Sequence, residues 1–207
     1  MTIALKSGKG NLWTLWLGWT AANAIGWAVG LTAENAAQLA LEAASGGVLV
    51  EAEGGAVLEG VGGFFFGLAV GVMQWVALRR WIAGAAAWVP ATAGGFALAG
   101  IIGGALQDVG VAVGGLVISF GFGLAAGTLQ WLILRRQVKR SGWWAPASAV
   151  LVFCGLIVGL IVSVTLTGEM PDVYGSGAAF AAAGGAVFGM TSGFVLLWLL
   201  RQPISKA

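Results

Sequence analysis

Three amides and one carboxylate stand out because they interrupt long apolar runs: Asn23, Gln74, Gln130 and Glu59. A polar group in an apolar medium is costly unless something bonds to it, so each of these side chains implies a partner. Gln74 and Gln130 each precede the first arginine of a basic turn by five residues, about 7–8 Å along a helix axis. Two kinds of partner fit an amide there. One is another helix or the basic turn itself; the other is a ligand, such as a quinone carbonyl or the metal of a chlorin. Asn23 invites the same division. Glu59 lies 20 residues before Arg79, about 30 Å along a helix, which places it at the far edge of a bilayer. No charged partner stands at mid-depth, so an ion pump is not expected.

Other chemistry is missing. The chain has no histidine, which removes His-ligated haem, the usual zinc sites and His-based triads. Its single cysteine, Cys154, lies in an apolar run and reads as a small buried hydrophobe. No nucleophile–base pair, paired carboxylates at depth or metal cluster is visible, so no catalytic residue is expected and the chain is read as no enzyme.

The elements that position these residues are membrane spans. Of 207 residues, 59% are hydrophobic and only 9% charged, against about 25% charged in soluble domains. A bilayer core needs roughly 20 apolar residues per helix. Six segments qualify: about 12–31, 55–78, 86–107, 111–134, 143–167 and 177–200. They are apolar on every face, which argues against a barrel. Lys6 and Lys9 resemble the basic region of a signal peptide, but the following run is long for one and reads as the first span. The connector 32–53 predicts a short surface helix, an extension of the first span, or a lid, with Glu34, Gln38 and Glu42 on one polar stripe.

Charges set the orientation. Lys6, Lys9, Arg79, Arg80, Arg135, Arg136, Lys139, Arg140, Arg201 and Lys206 fall in one set of alternating connections. Glu34, Glu42, Glu51, Glu53, Glu59, Asp108, Glu169 and Asp172 fall in or beside the other. By the positive-inside rule the basic side, with both termini, is cytoplasmic.

The chain also repeats itself. Residues 67–104 align with 123–160 at an offset of 56, with 15 of 38 pairs identical, including GLAVGVMQWVALRR against GLAAGTLQWLILRR. Trp88 and Pro90 match Trp144 and Pro146, and a weaker third copy sets Gly189, Gly193 and Arg201 on Gly123, Gly127 and Arg135. The expectation is an all-α integral membrane protein in one domain, 1–207. Its six helices form three parallel-repeat hairpins (about 12–80, 86–136 and 143–201), pseudo-threefold about the membrane normal. The pairs Gln74-Trp75 to Arg80 and Gln130-Trp131 to Arg136 resemble an uncharacterised type of bacterial multi-span protein built on repeated QW-x-x-LRR hairpins. That resemblance implies a bacterial inner-membrane setting and no activity. Mitochondrial carriers also use three two-helix repeats, but their P-x-[DE]-x-x-[KR] signature is missing.

Gly63, Gly67 and Gly71 fall four apart, as do Gly123 and Gly127, with Ser119 extending the series, and Gly185, Gly189 and Gly193. Such faces admit a close neighbouring backbone, or a flat lipid, quinone or pigment tail. Trp13, Trp16, Trp75, Trp81, Trp88, Trp131, Trp143, Trp144 and Trp198 sit near the basic ends and read as an aromatic belt. Trp19 and Trp27 are deeper. Arg79, Arg80, Arg135, Arg136, Lys139 and Arg140 should attract anionic headgroups; nucleic acid is not expected. Three functions fit: a structural or assembly subunit packing through its glycine faces against other membrane subunits, a small channel or transporter, or a quinone- or pigment-contacting subunit. The residues name no cofactor.

Overall fold

The computed structural model describes residues 11–46, 55–106, 111–168 and 177–202, without the side chains of 111–118 and 167. Lys6, Lys9, Glu51, Glu53, Asp108, Glu169, Asp172 and Lys206 fall outside the described residues. The described chain is helical, with six α-helices: α1 Leu12–Ser45, α2 Gly55–Leu78, α3 Trp88–Ala105, α4 Val111–Leu134, α5 Trp144–Thr167 and α6 Gly177–Leu200. Single 3-10 turns, Ala85–Ala87 and Ser141–Trp143, lead into α3 and α5. Four helices are long and apolar enough to cross a membrane: α2, α3 with its turn, α5 with its turn, and α6. In α4 the described side chains cover a shorter apolar stretch, Ser119–Leu134. α1 is longer and more polar.

Local chemistry explains the boundaries. Asn11 caps α1 by accepting from the Trp13 amide at 3.1 Å, and Gly46 ends it in the left-handed region at φ 62°. Of the readings open for the connector, α1 realises the extension. It runs 34 residues without a break because the segment after Thr32 is rich in alanine and holds no proline or glycine before Gly46. Its polar stripe turns towards α2: Gln38 Nε2 donates to the Leu58 carbonyl at 3.5 Å. Pro90 and Pro146 lie in the first turns of α3 and α5, where a missing amide proton costs nothing.

The helices form a ring. The main contacts run from each helix to its neighbours in chain order, and α6 closes on α1. Glycine faces set the closest pairings. A methyl group on Gly63 would lie 2.5 Å from the Phe96 carbonyl oxygen, and one on Gly67 2.8 Å from Ala93 Cα; Gly71 faces Val89. Gly123 and Gly127 meet Ser148 and Ala145 in the same way. Gly185, Gly189 and Gly193 meet Asn23, Thr20 and Trp16. So α2 seats against α3, α4 against α5, and α6 against α1.

The outside of the ring is apolar too, with Leu17, Ile25, Phe64, Leu98, Ile161 and Phe194 all exposed. Cys154, expected inside, is exposed on this surface. When both faces of a helix are apolar, hydrophobicity does not tell core from exterior.

Gly185→Leu should destabilise the protein by about 1–3 kcal/mol, because backbone on α1 cannot yield to the added side chain. Gly18→Ala, with nothing within 4 Å, should be neutral or slightly stabilising. Thermal unfolding of the two variants in one detergent checks the contrast.

Candidate functional site

The ring's interior is layered, and each layer can be followed by counting along the helices. The first layer holds Trp19 of α1, Trp88 of α3 and Trp144 of α5, all fully buried. Their ring centroids are 6.1, 6.1 and 5.9 Å apart, and every pair meets edge to face. That arrangement suits the aromatic quadrupole. Three indoles therefore fill the middle of the ring at its basic end, backed by Leu15, Leu78, Leu134 and Leu196.

Buried indole N–H groups need acceptors, and the neighbouring helices supply them. Trp88 Nε1 donates to Gln74 Oε1 at 2.7 Å, Trp144 Nε1 to Gln130 Oε1 at 2.8 Å, and Trp19 Nε1 to Ser192 Oγ at 2.9 Å. One turn further along each odd-numbered helix stands a polar side chain that donates back to the tryptophan's carbonyl. Asn23 Nδ2, Thr92 Oγ1 and Ser148 Oγ each do so at 2.8 Å. Cross-links join these groups. Gln74 Nε2 donates to Asn23 Oδ1 at 2.8 Å, and Gln130 Nε2 donates to Thr92 Oγ1 at 2.9 Å and to Gln74 Oε1 at 3.3 Å.

The structure thus brings Asn23, Gln74 and Gln130 together and joins them to one another and to the tryptophans. Their amides are committed to protein partners. A void of about 10 Å³ beside Gln74 and Gln130 is at most the size of one water. This geometry favours the inter-helix bond over a quinone or chlorin contact at these three residues.

Trp88 and Trp144, expected in the aromatic belt, are instead core. Belt reasoning reads depth from sequence and says nothing about which way a side chain faces. Trp13 and Trp143 are well exposed. Residue type and depth do not single out Thr92 and Ser148, but two sequence signals mark them: they repeat at the offset of 56, and each follows a tryptophan by four residues, as Asn23 does.

Eight residues from the first layer, towards the acidic end, the odd helices carry Trp27, Phe96 and Val152, and the even helices Phe66, Phe122 and Phe188. Trp27 and Phe66 centroids are 5.9 Å apart, Phe66 and Phe96 4.9 Å, and Phe96 and Phe122 5.3 Å. Above them lies a partly enclosed cavity of about 130 Å³ to which all six helices contribute. Trp27, Phe66, Phe96, Phe122, Val152 and Phe180 supply its apolar wall. Glu34, half-buried, is the one ionisable side chain on that wall. It follows Trp27 by seven residues and so shares its face of α1. Glu59 is near enough for its charge to act on Glu34.

At the opposite end, Arg79, Arg80, Arg135, Arg136, Lys139 and Arg140 are exposed. The Arg79 guanidinium lies 5.9 Å from the Trp75 ring and that of Arg135 5.5 Å from Trp131. Gln137 Nε2 donates to the Ala83 carbonyl at 3.0 Å, and the Lys139 amide to the Gln202 carbonyl at 2.7 Å. These bonds tie the basic turns together. Arg140 holds φ 57° where the repeat has Gly84 at 70°, so both turns use the left-handed region.

No family model, curated protein or solved structure matches the chain. Among the described residues no three His, Cys, Asp or Glu side chains converge on a metal position.

Gln74→Leu should cost about 1–3 kcal/mol, because it leaves the Trp88 N–H and Asn23 Oδ1 buried without partners. Gln130→Leu should cost a similar amount. The double variant should lose less than the sum, since the two amides share one network. Unfolding midpoints of the four proteins test this coupling.

Proposed function

We propose that the protein is a six-pass, non-enzymatic membrane protein that holds a small molecule with a compact apolar body in a cavity open to the outer side and sealed on the cytoplasmic side. The observation that carries this reading is the stacking itself: an aromatic cavity built by all six helices stands over a close-packed tryptophan layer and its hydrogen-bonded support. A cavity lined mainly by apolar side chains, five of them aromatic, with one charged group, has the make-up of a small-molecule site.

Three pseudo-equivalent units, α2–α3, α4–α5 and α6–α1, arranged about the membrane normal, account for the layers. Each unit brings an indole, an acceptor for it and a polar group one turn on. Leu196, buried where the other two units have glutamine, marks the third unit's divergence. Segregation of charge in the sequence supports six spans with the basic turns and both termini cytoplasmic, where those turns meet anionic lipid headgroups. The tryptophan layer speaks against a continuous pore along the ring's middle. Docking to other membrane subunits remains compatible with this reading. The glycine faces, however, are taken up inside the chain, so any partner would meet other surfaces.

Topology is tested in a Cys154→Ser background with single cysteines placed at positions 45, 139 and 172, Lys139 being exposed in the basic turn. An impermeant thiol reagent applied to intact cells should label 45 and 172 and spare 139. Any reversal refutes the six-pass reading. Cavity binding is tested with tert-butylbenzene and purified protein in micelles, using Val152→Phe as the filled control, because phenylalanine is what the repeat carries at Phe96. Saturable binding by the natural sequence, lost in Val152→Phe, is expected. Equal uptake by the two proteins refutes it.

A further inference from the structure

Two polar groups at the cavity remain uncompensated, and both lie on one face of α1. Trp27 is 2% exposed, yet its indole N–H has no hydrogen-bond partner among the described residues. The other three buried indoles in the ring all have acceptors, so Trp27 departs from the pattern of its own fold. A buried donor without an acceptor costs free energy that a bound molecule can return. Trp27 borders both the cavity and the small void beside it, so the residue with the unmatched donor is also a wall of the cavity.

Glu34 is the second group. Every described lysine and arginine lies in the basic turns or at Arg201, the far end of the helices, so no described cation stands near this carboxylate. The described charged group that acts on it is another acid, Glu59. The repeat shows that the fold does not need an acid here: seven residues after Phe96 and Val152, which match Trp27, stand Gly103 and Gly159. Glu34 breaks the repeat where the interior opens into this cavity. A carboxyl group on an aromatic wall, with no described cation beside it, has the complement of a cation. Aromatic faces attract a positive charge as well, by about 0.5–2 kcal/mol each according to desolvation.

We infer that the cavity selects organic cations: molecules with a compact apolar body that sits among Trp27, Phe66, Phe96 and Phe122, and a positive head held by Glu34. An oxygen acceptor on the body adds a partner for the Trp27 N–H, so within this class ethers and carbonyl compounds bind more tightly than pure hydrocarbons. This rests on the cavity-binding reading above and adds to it the charge of the ligand and the residue that reads that charge.

The test compares two molecules of nearly the same shape that differ in charge, phenyltrimethylammonium and tert-butylbenzene. Both are titrated into the purified full-length protein in uncharged micelles, with Val152→Phe as the baseline. The cation should bind at least tenfold more tightly than its neutral counterpart. Glu34→Gln, which keeps the shape and removes the charge, should abolish that preference, read within each protein as the ratio of the two affinities. Glu34→Ala should do the same and serves if the glutamine variant does not fold. Equal affinities for the two molecules in the natural sequence overturn the inference and leave the cavity reading standing, as does a preference that survives both substitutions. Saturable binding of neither molecule overturns both readings.

Discussion

Three indole N–H groups sit in the middle of a helical ring where no water reaches them, and each demands an acceptor from a neighbouring helix. That demand organises the interior. It requires Gln74, Gln130 and Ser192 to face inward at the depth of Trp88, Trp144 and Trp19, which fixes the rotation of α2, α4 and α6. Apolar side chains alone could not do this, because the helices are apolar on every side and any rotation would bury similar area. Directional bonds have the specificity that non-directional packing lacks. Glycine faces then set how closely each pair approaches. Rotation and separation together define the ring.

How much of this was legible in the sequence varies with the kind of signal. Helix positions were readable from the length of the apolar runs, and the glycine spacing pointed to the faces that carry close contacts. The inward-facing tryptophans were not readable from depth. Trp143 and Trp144 are adjacent in sequence at the same basic end, yet one is exposed and the other buried. The repeat held the missing information. The tryptophan-plus-four rule, seen in Trp19 with Asn23, Trp88 with Thr92 and Trp144 with Ser148, links an odd helix to its counterparts more clearly than overall identity does. The cavity was not readable at all, because it arises where six separate helices fail to meet, and no single segment records that.

The two ends of the proposed site obey different rules. At the basic end every buried polar group in the tryptophan layer is matched, turns are tied by backbone and amide bonds, and packing is close. Towards the acidic end the repeat weakens: Val152 stands among aromatic residues, Trp27 has an unmatched donor, and Glu34 replaces glycine. Departures from symmetry and unmet bonding capacity collect in the same half of the molecule. A fold that is self-sufficient in one half and deficient in the other has somewhere for a second molecule to complete it.

The ring closes through a pair of helices that the chain does not join directly. The start of α1 meets the end of α6, with the Trp16 indole donating to the Met190 carbonyl at 2.9 Å. The covalent order is therefore one of several that would serve the same architecture. A polypeptide opening at α2 and running from α6 through a short linker into α1 would keep the same neighbours around the ring, since α6 already packs along α1.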